Sequence, residues 1–404
     1  MGQGPPWPTD RWHGRSTPVR EITRHFRFGP TGGVSANCAV IEYSISCRFN
    51  HIEQEPTTNI GSREINRARY IHAIRLFTPQ PADRSLGYTN ARRHSRAKHC
   101  ANRRTALAPQ QAQAALKDAK GTKLVLLGTA AGPVPGRSRE MTSHVMLSNG
   151  AAYVLDCGMG VTNQYACTGI PFSALKSIFI THHHADHNIE YGPLLIVGWI
   201  QGLPLDVRAF GPPPLKQMTD DFMRAYKQTV DFWAEDFKMR PLTSVNVQEI
   251  AAAGPVTQDD NVKVSAIVVE HPPVKPALGY RFDFKDRSIA FSGDTAPLEA
   301  VAKMAEGADV LVHETMYVPA LETYIRAAIA KGLPVKFAPF MAHMKADHTP
   351  SEDVGRIAQE AGVKTLVLSH LTPAIDSIDD ETWCAPVAKY FKGEIIVGKD
   401  LMVV

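Results

Sequence analysis

The chain reads as an α/β protein in which two β-sheets pack face to face with helices outside. Three observations predict this. From residue 123 onward, short apolar runs recur between turn residues, and several are continuous, as strands buried on both faces should be. Helical patterns fall between some of these runs rather than in one separate block. Side chains that bind transition metals collect just past the apolar runs, the strand-end loops where catalysis is usually mounted.

Taken in order, strands are expected over residues 123–127, 144–147, 152–155, 177–180, 206–210, 262–269, 278–284, 288–291, 310–313, 365–369 and 394–397. Helices are expected over 215–238, 298–305, 320–331, 351–361 and 385–391. The helix over 351–361 has the clearest ends, with Ser351, Glu352 and Asp353 after Pro350 as its start and Gly362 as its stop. Gly128, Gly132 and Gly158 read as turn residues that need unusual backbone angles. No internal repeat stands out.

The chain divides into two compositions. Residues 1–117 form an arginine-rich extension in which Lys98 is the only lysine before Lys117, and Pro, Gly, Ser and Asn interrupt nearly every apolar run. Only 65–77 sustains a pattern, so disorder or irregular structure is expected there, and the catalytic domain is placed at 118–404. Arg92-Arg93 and Arg103-Arg104 would suit phosphate contacts if the segment bound nucleic acid. A reading frame opened too early would instead leave it without a selected fold, and the switch from Arg to Lys near 117 favours that view.

A chain of 404 residues affords a sizeable core. Apolar residues at 44%, charged residues at 21% and a net charge of +4 are ordinary for a soluble globular protein and do not demand a polyanionic partner. No run approaches the 18 or so apolar residues of a membrane span, so no membrane association is expected. Six scattered cysteines without C-x-x-C spacing argue against a zinc knuckle or a disulfide framework. Ala112-Gln113-Ala114 resembles a signal cleavage site but no apolar segment precedes it, which favours the cytoplasm and leaves the periplasm or secretion open.

The richest motif is residues 181–188, Thr-His-His-His-Ala-Asp-His-Asn, directly after the apolar run 175–180. The spacing His182-x-His184-x-Asp186-His187 alternates direction in extended or tightly turned backbone, so two sets of ligands can face two neighbouring ions. His183 is the odd one out. One loop cannot complete two metal sites, and three further candidates stand at the ends of other apolar runs: His271, Asp294 and His370.

With these pieces assembled, the sequence resembles the metallo-β-lactamase fold hydrolases, and within them the tRNase Z and arylsulfatase-like branch. Beyond 181–187 the matching segments are 126–132 (Leu-Leu-Gly-Thr-Ala-Ala-Gly), 155–158 (Leu-Asp-Cys-Gly), Glu270-His271-Pro272, Gly279-Tyr280-Arg281, 291–295 (Phe-Ser-Gly-Asp-Thr), His313-Glu314-Thr315, 347–350 (Asp-His-Thr-Pro) and Leu368-Ser369-His370. They run in family order and cover about seven tenths of the chain. The resemblance implies a four-layer αβ/βα sandwich of two packed mixed sheets. It also implies that His182, His184 and His271 hold one zinc, that Asp186, His187 and His370 hold a second, and that Asp294 bridges them. The same donors also accommodate manganese or iron. Two ions about 3.5 to 4 Å apart would bring the pKa of a shared water toward 7, with Asp186 orienting the hydroxide. The general acid implied is His348, held by Glu314, since a carboxylate on one imidazole nitrogen fixes the tautomer and raises the basicity of the other. Asp156 reads as a support rather than a ligand.

A carboxylate at 294 favours phosphodiesterases, sulfatases, lactonases and thioester hydrolases of this fold over β-lactamases. The arm by which tRNase Z grips tRNA would lie between Arg281 and Ser292, and ten residues leave no room for it. Extra sequence appears instead at 215–239, with Phe222, Tyr226, Trp233 and Phe237, and at 317–344, with Phe337, Phe340, Met341 and Met344. Such stripes suit a core or a homodimer contact, or the wall of a pocket for an apolar substrate. The expectation is therefore a dinuclear zinc hydrolase cleaving a sulfate or phosphate ester of a small, partly apolar or aryl substrate. The alternatives are a lactone, thioester or β-lactam hydrolase and a tRNase Z-like endonuclease that processes RNA 3′ ends, nucleic acid being allowed as a partner but not favoured.

Overall fold

The computed structural model describes residues 108–117, 121–134 and 138–404. Two seven-stranded sheets form its centre. The first holds β1 (Lys123–Gly128), β2 (Ser143–Ser148), β3 (Ala151–Leu155), β4 (Leu175–Phe179), β5 (Arg208–Gly211) and β6 (Asn246–Glu249), with β14 (Met402–Val403) beside β1. The second holds β7 (Gly254–Gln258), β8 (Val262–His271), β9 (Val274–Phe284), β10 (Ser288–Phe291), β11 (Val310–Met316), β12 (Thr365–Thr372) and β13 (Glu394–Val397). Each sheet runs from antiparallel pairings into parallel ones, at β3–β4 in the first and β10–β11 in the second. The two halves thus share a pairing pattern that no sequence repeat announces.

The helices are α1 (Pro109–Lys117), α2 (Val161–Thr168), α3 (Ala185–Asn188), α4 (Tyr191–Ile200), α5 (Leu215–Ala225), α6 (Lys227–Phe237), α7 (Glu299–Met304), α8 (Val318–Ala330), α9 (Phe337–Asp347), α10 (Ser351–Ala361) and α11 (Asp380–Ala388). None of them is long and apolar enough to cross a membrane.

Strand β1 shows why the layers form. Its residues alternate, Leu124 and Leu126 entering the core between the sheets while Val125 and Leu127 face the helices of the first sheet. The inter-sheet core is aromatic, with Phe179 stacked on Phe210 at 4.9 Å and edge-on to Phe282 at 5.0 Å. A third apolar cluster lies between the second sheet and α7, α10 and α11, which completes the four layers expected from the resemblance.

Helix α10 occupies the expected residues and stops at Gly362, whose φ of 65° is the left-handed cap geometry that glycine tolerates. The helix expected over 215–238 is two, α5 and α6, interrupted at Tyr226. Helix α4 was not expected because seven of its ten residues are buried and its apolar character runs all round, leaving no periodic signal. Helix α1 corrects the expectation that residues 1–117 are irregular throughout. Ala112 is buried and Gln113 donates to the Cys167 carbonyl at 3.1 Å, so α1 packs on the fold. The expectations for residues 1–107 lie outside the described residues.

Candidate metal centre

The site is assembled from strand ends. β4 delivers the 181–188 segment, β8 ends on His271, Asp294 follows β10, β11 carries Glu314 and β12 carries His370. The expected loop after β4 is part helix, since Asp186 and His187 lie in the single turn α3 while His182 and His184 precede it. Backbone conformation is specialised here. Asp156 and His370 have φ of 58° and 43°, a left-handed region unusual for residues with a side chain and concentrated at functional positions.

One oxygen organises the centre. Asp294 Oδ2 lies 3.1 Å from His370 Nε2 and 3.2 Å from His187 Nε2, and 3.9 Å from both His182 Nε2 and His271 Nε2. His184 Nδ1 stands 3.0 Å from His182 Nε2 and 3.1 Å from His271 Nε2. Asp186 Oδ2 lies 3.3 Å from His370 Nε2 and 3.7 Å from His187 Nε2. All seven residues singled out as ligands therefore meet in one place, and only His184 among them is substantially exposed.

Five overlapping groups of donors among the described residues are compact enough to hold a metal ion, and two of them share no residue with each other and match the expected sets: His182 with His184 and His271, and Asp186 with His187 and His370. The donor set fits that purpose. Three imidazole nitrogens crowded at about hydrogen-bond distance cannot all be satisfied by the protons they carry, whereas a cation accepts all their lone pairs. Nε2 of His187 is buried and faces the carboxylate oxygens of Asp294 and Asp186 at 3.2 and 3.7 Å. Burial, reinforced by the neighbouring His187, holds the His182 pKa well below its ordinary value, so this imidazole is neutral, the form that binds metal. Burial would raise the Asp294 carboxyl, but His370 and His187 overcome it and keep the carboxylate charged.

A supporting layer sets the rings. Nδ1 of His271 donates to the Asp347 carbonyl at 2.9 Å. Asp156 accepts from Thr181 N at 2.8 Å and from the Thr181 hydroxyl at 2.9 Å, and it also pairs with Nδ1 of His187. Gly132 N donates to Asp186 Oδ2 at 2.8 Å, and a Cβ on Gly132 would stand 2.3 Å from the Asp186 Cβ. Sequence reasoning placed Asp156 as a support and missed Thr181 and Asp347. Both stand inside segments that carry the resemblance, 181–187 and 347–350, but nothing in their residue type pointed to the partner each one holds.

His348 follows α9, with Nδ1 3.1 Å and 3.2 Å from the two Glu314 oxygens. One of its ring nitrogens lies within 4.8 Å of donor atoms of His271 and Asp294. Burial opposes its charge, yet the Glu314 carboxylate raises its pKa to about 9. Among the other described histidines, His313 holds the Glu314 carbonyl through Nδ1 at 2.7 Å. His183 bonds the Pro212 carbonyl at 2.8 Å and Asn188 at 3.0 Å, and His343 pairs with Asp347 at 2.7 Å. His144 is buried against Phe291, and burial takes its pKa down to about 3.

The two stretches of extra sequence form helices α5 and α6 and helices α8 and α9. Phe222 and Tyr226 stack at 4.5 Å and Trp233 and Phe237 at 4.7 Å, with Phe222 packing on the core and Phe237 largely exposed. Phe337, Phe340 and Met344 pack with buried Met341 into a small cluster of their own between α8 and α9. Between β9 and β10 stand only residues 285–287, a tight hairpin with no arm.

Residues 152–371 match the model of the beta-lactamase superfamily domain. Ribonuclease Z of Mycobacterium bovis (strain BCG / Pasteur 1173P2) is 30% identical over 283 residues, covering 69% of this chain and 96% of that protein. Ribonuclease Z of Mycobacterium avium (strain 104) matches over the same extent at the same identity. Among solved structures, the metallo-β-lactamase fold protein YhfI from Bacillus subtilis is similar at a TM-score of 0.53 and 19% identity, covering 70% of this chain and all of that one. The short form of human tRNase Z is similar at 0.50 and 19%, covering 70% and 98%.

Proposed function

We propose that this chain, which belongs to the metallo-β-lactamase superfamily and is a metal-dependent hydrolase of ester bonds, cleaves phosphodiesters, with RNA as the favoured substrate class. The carrying observation is the Asp294 oxygen within 3.9 Å of four imidazole nitrogens drawn from three strand ends. Phosphodiester chemistry is supported by relatives named ribonuclease Z that match along 96% of their length. This reading moves the emphasis from the small aryl esters of the sequence analysis to the RNA alternative.

In this proposal His182, His184 and His271 hold one divalent ion, Asp186, His187 and His370 hold a second, and Asp294 stands between them. Zinc is the metal favoured by this mixture of imidazole and carboxylate. Bound there, the ions would supply a hydroxide at neutral pH and a Lewis acid for the phosphoryl oxygen. The protein's own groups do the rest. Asp186, fixed by the Gly132 amide, accepts a hydrogen bond from the attacking water and aligns it. Glu314 holds Nδ1–H of His348, leaving the other nitrogen to give its proton to the leaving oxygen.

A second reading, a small aryl phosphate or sulfate ester, draws support from the hairpin without an arm and from the stacked aromatic pairs of α5 and α6. The deciding experiment assays metal-replete protein on an RNA with a 3′ trailer, on bis-p-nitrophenyl phosphate and on p-nitrophenyl sulfate. Cleavage of the RNA with weak turnover of both esters supports the first reading. Turnover of the sulfate alone would overturn phosphodiester hydrolysis.

A further inference from the structure

We infer that Asp400, remote in sequence from the centre, is a positioning residue that sets Asp186 by closing the neck of the 129–140 segment. The inference rests on the role proposed for Asp186. Asp400 lies in the turn before β14, where its Oδ1 accepts from the Thr129 hydroxyl at 2.7 Å and its Oδ2 from Glu140 N at 2.6 Å. Thr129 opens the link from β1 to β2 and Glu140 lies three residues before β2, so a single carboxylate pins both sides of the link.

Further bonds close the same neck. Ala130 N donates to the Glu140 carbonyl at 3.0 Å. Arg139 Nη1 donates to the Thr129 hydroxyl oxygen and to the Gly398 carbonyl, each at 2.7 Å. Since that hydroxyl oxygen already accepts from Arg139, its proton is directed to Asp400.

The neck reaches the centre by two short routes. Two residues past Ala130, the Gly132 amide bonds Asp186 Oδ2 at 2.8 Å, with the Gly132 backbone close against the Asp186 side chain. Leu371 N donates to the Thr129 carbonyl at 3.0 Å, immediately after His370. Displacing the neck therefore moves the amide that holds Asp186 and the backbone that carries His370, both members of the same donor group. Packed interiors pass such shifts on rather than absorbing them.

The test is titration of the metal-free full chain with zinc against a chelating dye, alongside turnover of bis-p-nitrophenyl phosphate and thermal melting. Wild type, Asp400→Ala, Asp400→Asn and Thr129→Val are compared. Two zinc equivalents are expected in wild type, and Asp400→Ala should weaken one of them by about 10- to 100-fold while sparing the other. kcat should fall with KM little changed. Asparagine keeps an acceptor for Glu140 N and offers its amide group to the Thr129 hydroxyl oxygen, so it should recover most of both losses, while Thr129→Val loses the bonds to both Asp400 and Arg139 and should shift the same equivalent as alanine. Should Asp400→Ala fail to fold, the asparagine and valine variants carry the comparison. Unchanged zinc affinities and kcat in Thr129→Val, or in Asp400→Ala where it folds, would overturn the inference, as would equal weakening of both equivalents in step with melting temperature. A wild type that takes up no zinc overturns the reading of the centre and this inference together, a pattern distinct from either.

Discussion

Asp156 and His187 are joined at 2.8 Å through Nδ1 of the imidazole, both residues being buried. That contact fixes which nitrogen carries the proton and turns Nε2 toward Asp294 and Asp186.

Replacing the carboxylate should therefore act through the ring it holds. Asp156→Asn keeps the left-handed backbone, which asparagine tolerates, and is expected to lower zinc affinity by about 10- to 100-fold. Zinc titration of the metal-free variant checks this, and unaltered affinity would remove Asp156 from the supporting layer.

Asp294→Ala and His187→Ala should each lose several orders of magnitude in turnover of a phosphodiester, because both disturb the activated water. Steady-state rates at saturating zinc measure the effect. A loss of only a few-fold in Asp294→Ala would mean that the oxygen at the middle of the imidazole cluster is not part of the reaction.

His348→Ala should slow substrates with poor leaving groups far more than those with good ones such as p-nitrophenolate, since only the former need a proton. The pKa of His348 is shifted upward, to about 9, so the charged, proton-donating form is present below that pH and lost above it. Rates on poor leaving groups should accordingly fall as pH rises through about 9 in wild type and lose that limb in the variant. Equal losses on both kinds of substrate would remove His348 as the acid.

Truncation tests the arginine-rich segment and α1 separately. Removing residues 1–107 should leave turnover and melting temperature unchanged. Removing 1–117 takes away α1, with buried Ala112 and half-buried Leu116, and should cost about 1–2 kcal/mol, read by denaturant unfolding. Activity lost on the shorter deletion would show that the arginine-rich segment contributes to function.

The sequence by itself determined the candidate ligands and their order, because metal-binding side chains at the ends of apolar runs are a local signal. His182, His184, Asp186, His187, His271, Asp294 and His370 could be picked out before any folding was considered, and the apolar runs placed most strands. Tertiary structure decided what depends on partners far away in the chain. That Asp347 turns His271, that Asp400 spans Thr129 and Glu140, and that α1 packs on the fold are facts of contacts closed only by the folded backbone. Helix α4 was hidden for a related reason, its residues being apolar all round with no polar face to make a helix legible. Residue type and spacing are written along the chain, whereas the direction in which a ring nitrogen points is set by whichever distant carbonyl or carboxylate meets it in three dimensions.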